Sequence, residues 1–193
     1  MKGVLEMAYS ERLENPRYER INGEEVMLAQ PTPNHDRISK NLARIIGNYL
    51  RGKRCKLFGE LDVYFDEDNH YVPDLFIVCD LNKIKATRIE GAPDLVVEIL
   101  SPSTSKRDLG IKKDIYEKFG VKEYWIISPK ERSITVYHQK DGKFHLDDCY
   151  TVLEEDELEI LNERERAEHK LTLKVSLYDD LEIEVKEVFE DMI

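Results

Sequence analysis

Apolar and polar positions along this chain fall into short blocks with two different periods. Residues 26–30 form a short strand-like run, and PTPNHD after it reads as a turn. Ile38, Leu42, Ile45, Ile46 and Tyr49 then recur at helical spacing, which predicts a helix from about residue 35 to 51 that Gly52 ends. Residues 55–66 alternate roughly like a strand, with DEDN as the turn after it. The runs VPDLFIVCD (72–80) and APDLVVEILSPS (92–103) are apolar enough to be core strands, with a loop at 81–91 between them. SPSTSKRD opens a second helix, capped by Ser101, Ser103 or Thr104, and Gly120 closes it. Residues 123–129 and 133–138 read as strands, and Asp141–Gly142 is a hairpin signal leading into KFHLDD. In the tail, 157–161 and 170–177 read as strands around NERERAEH, a charged loop or helical turn, and the chain ends in a short strand and a helical turn. The whole predicts an α/β (α+β) fold, a mixed central sheet flanked by helices.

Length and charge refine this picture. The 193 residues suit one domain with a real core, and no repeat or linker divides them. No stretch is apolar enough to span a membrane, and the opening MKGVLEMAYSERLENP lacks a signal-peptide core. The net charge of −11 argues against a nucleic-acid partner until its distribution is examined. Residues 147–193 hold 17 Asp/Glu against 5 Lys/Arg, while residues 1–146 hold 23 against 24, so the acidity belongs to the portion from about 147 onward. Residues 36–56 are basic, with Arg37, Lys40, Arg44, Arg51, Lys53, Arg54 and Lys56 against Asp36; a solvated helix face explains such a run as often as DNA does. Cys55, Cys79 and Cys149 have no zinc spacing, Cys79 reads as a small buried hydrophobe, and a reducing cytoplasm is the expected compartment.

The chemistry lies in the two apolar runs, which carry Asp74 and Glu98. An acid in such a run requires a metal, a cation or hydrogen bonds, because an unpaired buried charge is very costly. On the following helix, with Ile111 at zero and about 100° per residue, Ile115 falls near ~40°, Phe119 near ~80° and Tyr116 near ~140°. Lys112, near ~100°, points inward among them, and Lys113, near ~200°, points out. The inward ammonium needs a carboxylate: Asp108 one turn earlier, or Glu98 or Asp74 across the helix–sheet contact. An ion pair with Asp108 that merely holds the helix down and a catalytic lysine beside two metal-binding acids both satisfy it.

From Tyr18 to Pro129 the chain resembles the Uma-type restriction endonucleases, within the PD-(D/E)xK nuclease superfamily. The segments that carry the resemblance are YERINGEEVMLAQPTPNHDRIS, YVPDLFIVCD, GAPDLVVEILSPSTSKRDLGIKKDIYEKFGVKEYWIISP and the terminal DLEIEVKEVF. The resemblance implies a restriction-endonuclease-like fold and a metal-dependent endonuclease that hydrolyses DNA phosphodiester bonds. It implies Asp74 and Glu98 as metal ligands, the Ile99 backbone carbonyl as a third, and Mg²⁺ as the ion, with Mn²⁺ as substitute. The pattern's own lysine position is occupied by Leu100, and Lys112 stands where Uma-type proteins carry the displaced lysine. A homodimer is expected, since two sites about a two-fold axis cut a duplex most simply.

Four further residues are accessory candidates. Glu25, or its neighbour Glu24, matches the acid that relatives carry before the sheet. Glu60 sits in the 55–66 run, His35 opens the first helix, and Asp94 shares a strand face with Glu98. The alternative function is a nuclease fold retained as a catalytically inactive nucleic-acid-binding or scaffold protein.

Overall fold

In the computed structural model, residues 17–102 and 105–193 are described, together with all of their side chains but that of Lys106. Ser103 and Thr104, two of the expected capping residues, lie outside them. Strands β1 (Tyr18–Ile21) and β2 (Glu24–Met27) form a hairpin turned at Asn22–Gly23, both with positive φ. Helix α1 (Pro33–Tyr49) follows, capped by Thr32, whose hydroxyl accepts from the His35 amide at 3.2 Å. Next come β3 (Lys56–Phe58), β4 (Val63–Tyr64), β5 (His70–Tyr71), β6 (Leu75–Val78), a 3-10 turn at Leu81–Lys83, β7 (Ile89–Glu90) and β8 (Leu95–Ile99). Helices α2 (Ser105–Leu109) and α3 (Ile111–Phe119) carry the chain over to β9 (Glu123–Ser128), which pairs parallel with β8. Then β10 (Ser133–Lys140) and β11 (Lys143–Thr151) form the hairpin that Asp141–Gly142 announces. The chain ends through α4 (Glu155–Ile160), α5 (Glu163–Glu168), β12 (Thr172–Lys174), β13 (Glu182–Glu184) and α6 (Val185–Val188).

The strands assemble into a six-stranded sheet, β11-β10-β9-β8-β6-β3, a five-stranded sheet, β2-β1-β5-β4-β7, and the small pair β12-β13. The two core strands of the sequence, β6 and β8, lie beside each other, antiparallel, inside the larger sheet. Alternation divides their side chains. Leu75, Ile77, Leu95, Val97 and Trp125 meet Ile38, Leu42 and Ile46 of α1 on one face. Phe76, Val78, Val96 and Tyr124 meet Ile115 and Tyr116 of α3 on the other, where Val63, Tyr71 and Ile89 of the smaller sheet close the core. Trp125 is fully buried, and its indole N–H donates to Glu123 at 2.6 Å. Glu123, also fully buried, accepts from the Ser176 amide at 3.0 Å, which ties the segment after β12 to the large sheet.

The structure revises several expectations. The expected strand at 55–66 is two strands in different sheets: Glu60 takes a positive φ of 49° and its amide binds the Pro73 carbonyl at 3.1 Å, turning the chain from one sheet to the other. The single helix expected up to Gly120 breaks at Gly110, and the Asp108 carbonyl accepts from the Tyr124 hydroxyl at 2.9 Å. Residues 157–161, expected as a strand, lie largely in α4. Cys79 is not an isolated buried hydrophobe. The β3–β6 register that sets Lys56 opposite Val78 places Cys55 next to it, and the two cysteines are disulfide-bonded. No helix among the described residues is long and apolar enough to cross a membrane.

Candidate active site

The site is built where β6 begins and β8 ends. Asp74 precedes Leu75, the first residue of β6. Its Oδ2 accepts from the Ile99 amide at 2.6 Å, and its Oδ1 lies 3.1 Å from His35 Nε2. That histidine lies in the first turn of α1, where its amide donates to the capping Thr32 hydroxyl. A close approach of backbone supports Asp74 from the other side. A Cβ on Gly59 would lie 2.9 Å from the Asp74 carbonyl oxygen, so only glycine lets the loop after β3 pack there.

Glu98 points to the opposite face from α1 and is 2% exposed. Its Oε1 accepts from the Tyr116 hydroxyl at 2.6 Å and from Lys112 Nζ at 3.1 Å. Lys112, 3% exposed, also lies 2.9 Å from Glu19 Oε1 and 3.5 Å from Asp108 Oδ1. The inward direction assigned to Lys112 therefore holds, and it meets two of its three candidate partners, Asp108 and Glu98, rather than one. Lys113 points away and lies over the Tyr137 ring, 4.1 Å from its centroid.

Charge in this buried cluster is strongly perturbed. Burial pushes the Glu98 carboxyl well above the usual range, and repulsion from Asp108, Asp74 and Glu19 adds to it against the attraction of Lys112. Burial works to lower the Lys112 ammonium, yet Glu98, Glu19 and Asp108 outweigh it and hold its pKa above the ordinary value. Burial and Glu98 raise the Tyr116 hydroxyl, which stays a donor. Burial lowers the His35 imidazole, but Asp74, with Glu60 and Asp108 behind it, outweighs burial, so the net shift is upward.

Of the accessory candidates, only His35 contacts Asp74 directly. Glu60 stands at the rim: it adds to the upward pull on His35, but its side chain is 61% exposed and pairs with Arg17. Glu25 is exposed on β2 and pairs with Arg20 at 3.1 Å. Glu24 is exposed on the same strand. Asp94 binds Lys122 at 2.7 Å and the Cys79 amide at 2.7 Å. It lies about 13 Å along the strand from Glu98 at ~3.3 Å per residue, so the shared strand face does not bring it to the site.

Two contributors escaped the sequence reading, Glu19 and Tyr116. Glu19 is 1% exposed, and besides Lys112 it holds the Val72 amide at 3.0 Å, linking β1 to the residues just before Asp74. The signal was present: in β1 the buried positions are Glu19 and Ile21, so alternation alone turns Glu19 inward.

A scan against family profiles matches residues 5–176 to Uma2, described as "Putative restriction endonuclease". The chain belongs to the Uma2 family. An uncharacterized protein of Synechocystis, slr1290, is 30% identical to this Uma2 chain over 135 residues, covering 68% of this chain and 70% of that protein. A crystal structure from Anabaena variabilis, described as "a putative nuclease belonging to DUF820", superposes with a TM-score of 0.68 at 23% identity. The match covers 93% of this chain and 96% of that one, which establishes a shared fold.

The donor chemistry of this Uma2 site suits a hard divalent cation. Its acids present only oxygen, and Glu19, Glu98 and Asp108 crowd one ammonium with Asp74 adjacent, an excess of negative charge. Among the described residues, no three His, Cys, Asp or Glu side chains form a ready-made metal shell.

Proposed function

We propose that this Uma2 protein is a metal-dependent endonuclease that hydrolyses DNA phosphodiester bonds. The observation that carries the reading is the buried ammonium of Lys112 held among Glu98, Glu19 and Asp108, beside an Asp74 fixed by the Ile99 amide. Asp74, Glu98 and the Ile99 carbonyl would hold Mg²⁺, with Mn²⁺ as substitute. When bound, the ion supplies a water of lowered pKa and positive charge at the phosphate oxygens.

The protein's own groups do the rest. The Ile99 amide and His35 fix the rotamer of Asp74, and the Tyr116 hydroxyl fixes that of Glu98. Lys112 keeps its proton, because its neighbours hold its pKa up, so its role is donor and positive charge rather than base. It orients the attacking water or offsets charge that develops on the phosphoryl group. The second reading, a nuclease fold retained for binding, draws on the same contacts: Glu98 is already satisfied by Lys112 and Tyr116 and nearly closed to solvent.

Purified protein incubated with supercoiled plasmid separates the two readings. Cleavage is expected with Mg²⁺ or Mn²⁺, none with EDTA, and none from Asp74→Ala, Glu98→Ala or Lys112→Ala variants that still fold by circular dichroism. Full activity in Glu98→Ala overturns the assignment; no activity and no metal-dependent shift in melting temperature in the wild type selects the inactive scaffold. Direct linearisation of the plasmid marks the two-site homodimer, and accumulation of nicked circles marks a single site.

A further inference from the structure

The outward face of α1 carries a row of cations that the proposed chemistry does not use. Taking Arg37 as zero at about 100° per residue, Asn48 lies near +20°, Arg44 near −20° and Lys40 near −60°, and Arg51 stands in the turn just past the helix end. Three basic side chains and one amide thus share a stripe about 80° wide with no acid in it. These residues and Arg51 are all exposed. The opposite face of the helix is the core face, with Ile38, Leu42 and Ile46 fully buried.

Residues 1–146 hold 24 Lys/Arg against 23 Asp/Glu, so the row is a local concentration of positive charge in a nearly balanced stretch of chain. Two of the four cations have only exposed partners: Lys40 with Asp36 at 2.7 Å and Arg44 with Glu190 at 3.4 Å. Exposed pairs of this kind are weak and readily exchanged. Arg37 and Arg51 make no ion pair with a described residue. From Arg37 to Asn48 the row is about 17 Å long at ~1.5 Å per residue, the length of about five base-pair steps at ~3.4 Å each. Its position matters as well. Arg37 follows His35 by two residues, so the first turn of α1 presents His35 to Asp74 inside and Arg37 to solvent outside.

We infer that the outward face of α1, through Arg37, Lys40 and Arg44, together with Arg51 in the turn after it, is the docking surface for the phosphate backbone of duplex DNA, which it leads toward the sheet end that holds Asp74. This inference rests on the nuclease reading for its partner but not for its test. Contacts of this kind position the duplex and carry no sequence information.

The test is equilibrium binding of a fluorescein-labelled duplex by the full chain, in EDTA so that nothing is cut, across about 50 to 200 mM salt. The Arg37→Gln/Arg44→Gln/Arg51→Gln variant is compared with Lys130→Gln/Lys174→Gln/Lys186→Gln, which removes the same charge elsewhere. The α1 variant is expected to bind at least about tenfold more weakly and to lose up to about 2.7 from the slope of log K against log salt, at ~0.9 per phosphate contact. The control is expected to stay within about twofold of wild type, and both variants to keep the wild-type circular dichroism. Equal losses in the two variants, wild-type affinity in the α1 variant, or absence of salt-dependent binding by the wild type overturns the surface. So does α1-dependent capture of single-stranded RNA but not of duplex, or a change of self-association without a change of binding. Plasmid cleavage is scored separately: cutting that survives loss of the α1 effect leaves the nuclease reading standing, and α1-dependent binding without cutting removes that reading but leaves the surface.

Discussion

At the residue scale the decisive feature is that one ammonium serves three carboxylates. A local pair of Lys112 with Asp108 would predict that replacing both with apolar residues is tolerated. The contacts with Glu19 and Glu98 predict otherwise, since the double replacement strands two buried acids. Lys112→Met and Lys112→Met/Asp108→Leu are each expected to lower stability by about 3–5 kcal/mol in urea unfolding at neutral pH. A double variant as stable as wild type would return Lys112 to a local helix pair. Lys112 was readable because its wheel position conflicts with its charge, and an inward lysine always raises the question of its partner. Which acids answered was not readable: Glu19 is 93 positions away in sequence and reaches the site through pairing of β1 with β5 and its bond to the Val72 amide.

At the scale of elements, strands and helices that bury one face were legible, and elements that bury nothing were not. The run around β8 and the α1 periodicity both announce a core side. Helices α4 and α5 are exposed along their whole length, so no apolar stripe betrays them, and ELEIL mimics a strand. Their signal is at the ends: capping boxes pair Glu154 with Glu157 and Asn162 with Glu165. The join between β9 and the segment after β12 yields a pH prediction. His138 Nε2 lies 3.6 Å from Glu123, and Nδ1 lies 3.7 Å from Asp147. The Glu123 carboxylate beside it, with Asp147, raises its pKa above the ordinary 6.5, against the lowering effect of burial. A folded pKa raised in this way adds stability that is complete below about 6.5 and fades as pH climbs through the folded value. His35 is raised too, so wild type is expected to lose stability between about pH 6 and pH 8, and His138→Gln to lose less. Denaturant midpoints at the two pH values check this, and an unchanged loss in His138→Gln removes His138 from the account.

At the scale of the whole molecule, the Cys55–Cys79 bond constrains the chain by closing a loop of 24 residues that includes β3, β4, β5 and β6. Closing a loop of this length restricts the unfolded ensemble and is expected to stabilise the fold by about 3–4 kcal/mol. Guanidinium unfolding with and without dithiothreitol measures it, and the Cys55→Ala/Cys79→Ala protein should match the reduced wild type. Identical midpoints in both redox conditions, with free thiols found by mass spectrometry, would show that the bond is absent in solution. Spacing in sequence could not reveal the pair, because it depends on strand register between β3 and β6, and register is a property of the assembled sheet.

The chain contains a single tryptophan, and it sits on the α1 face of β9, while the Lys112 cluster occupies the other face of the same sheet. Its fluorescence is therefore an optical gauge with a built-in boundary. Events confined to the acidic cluster leave its dry surroundings alone, whereas global unfolding moves it into water. A spectral change on adding a divalent ion would mean that the disturbance had crossed the sheet.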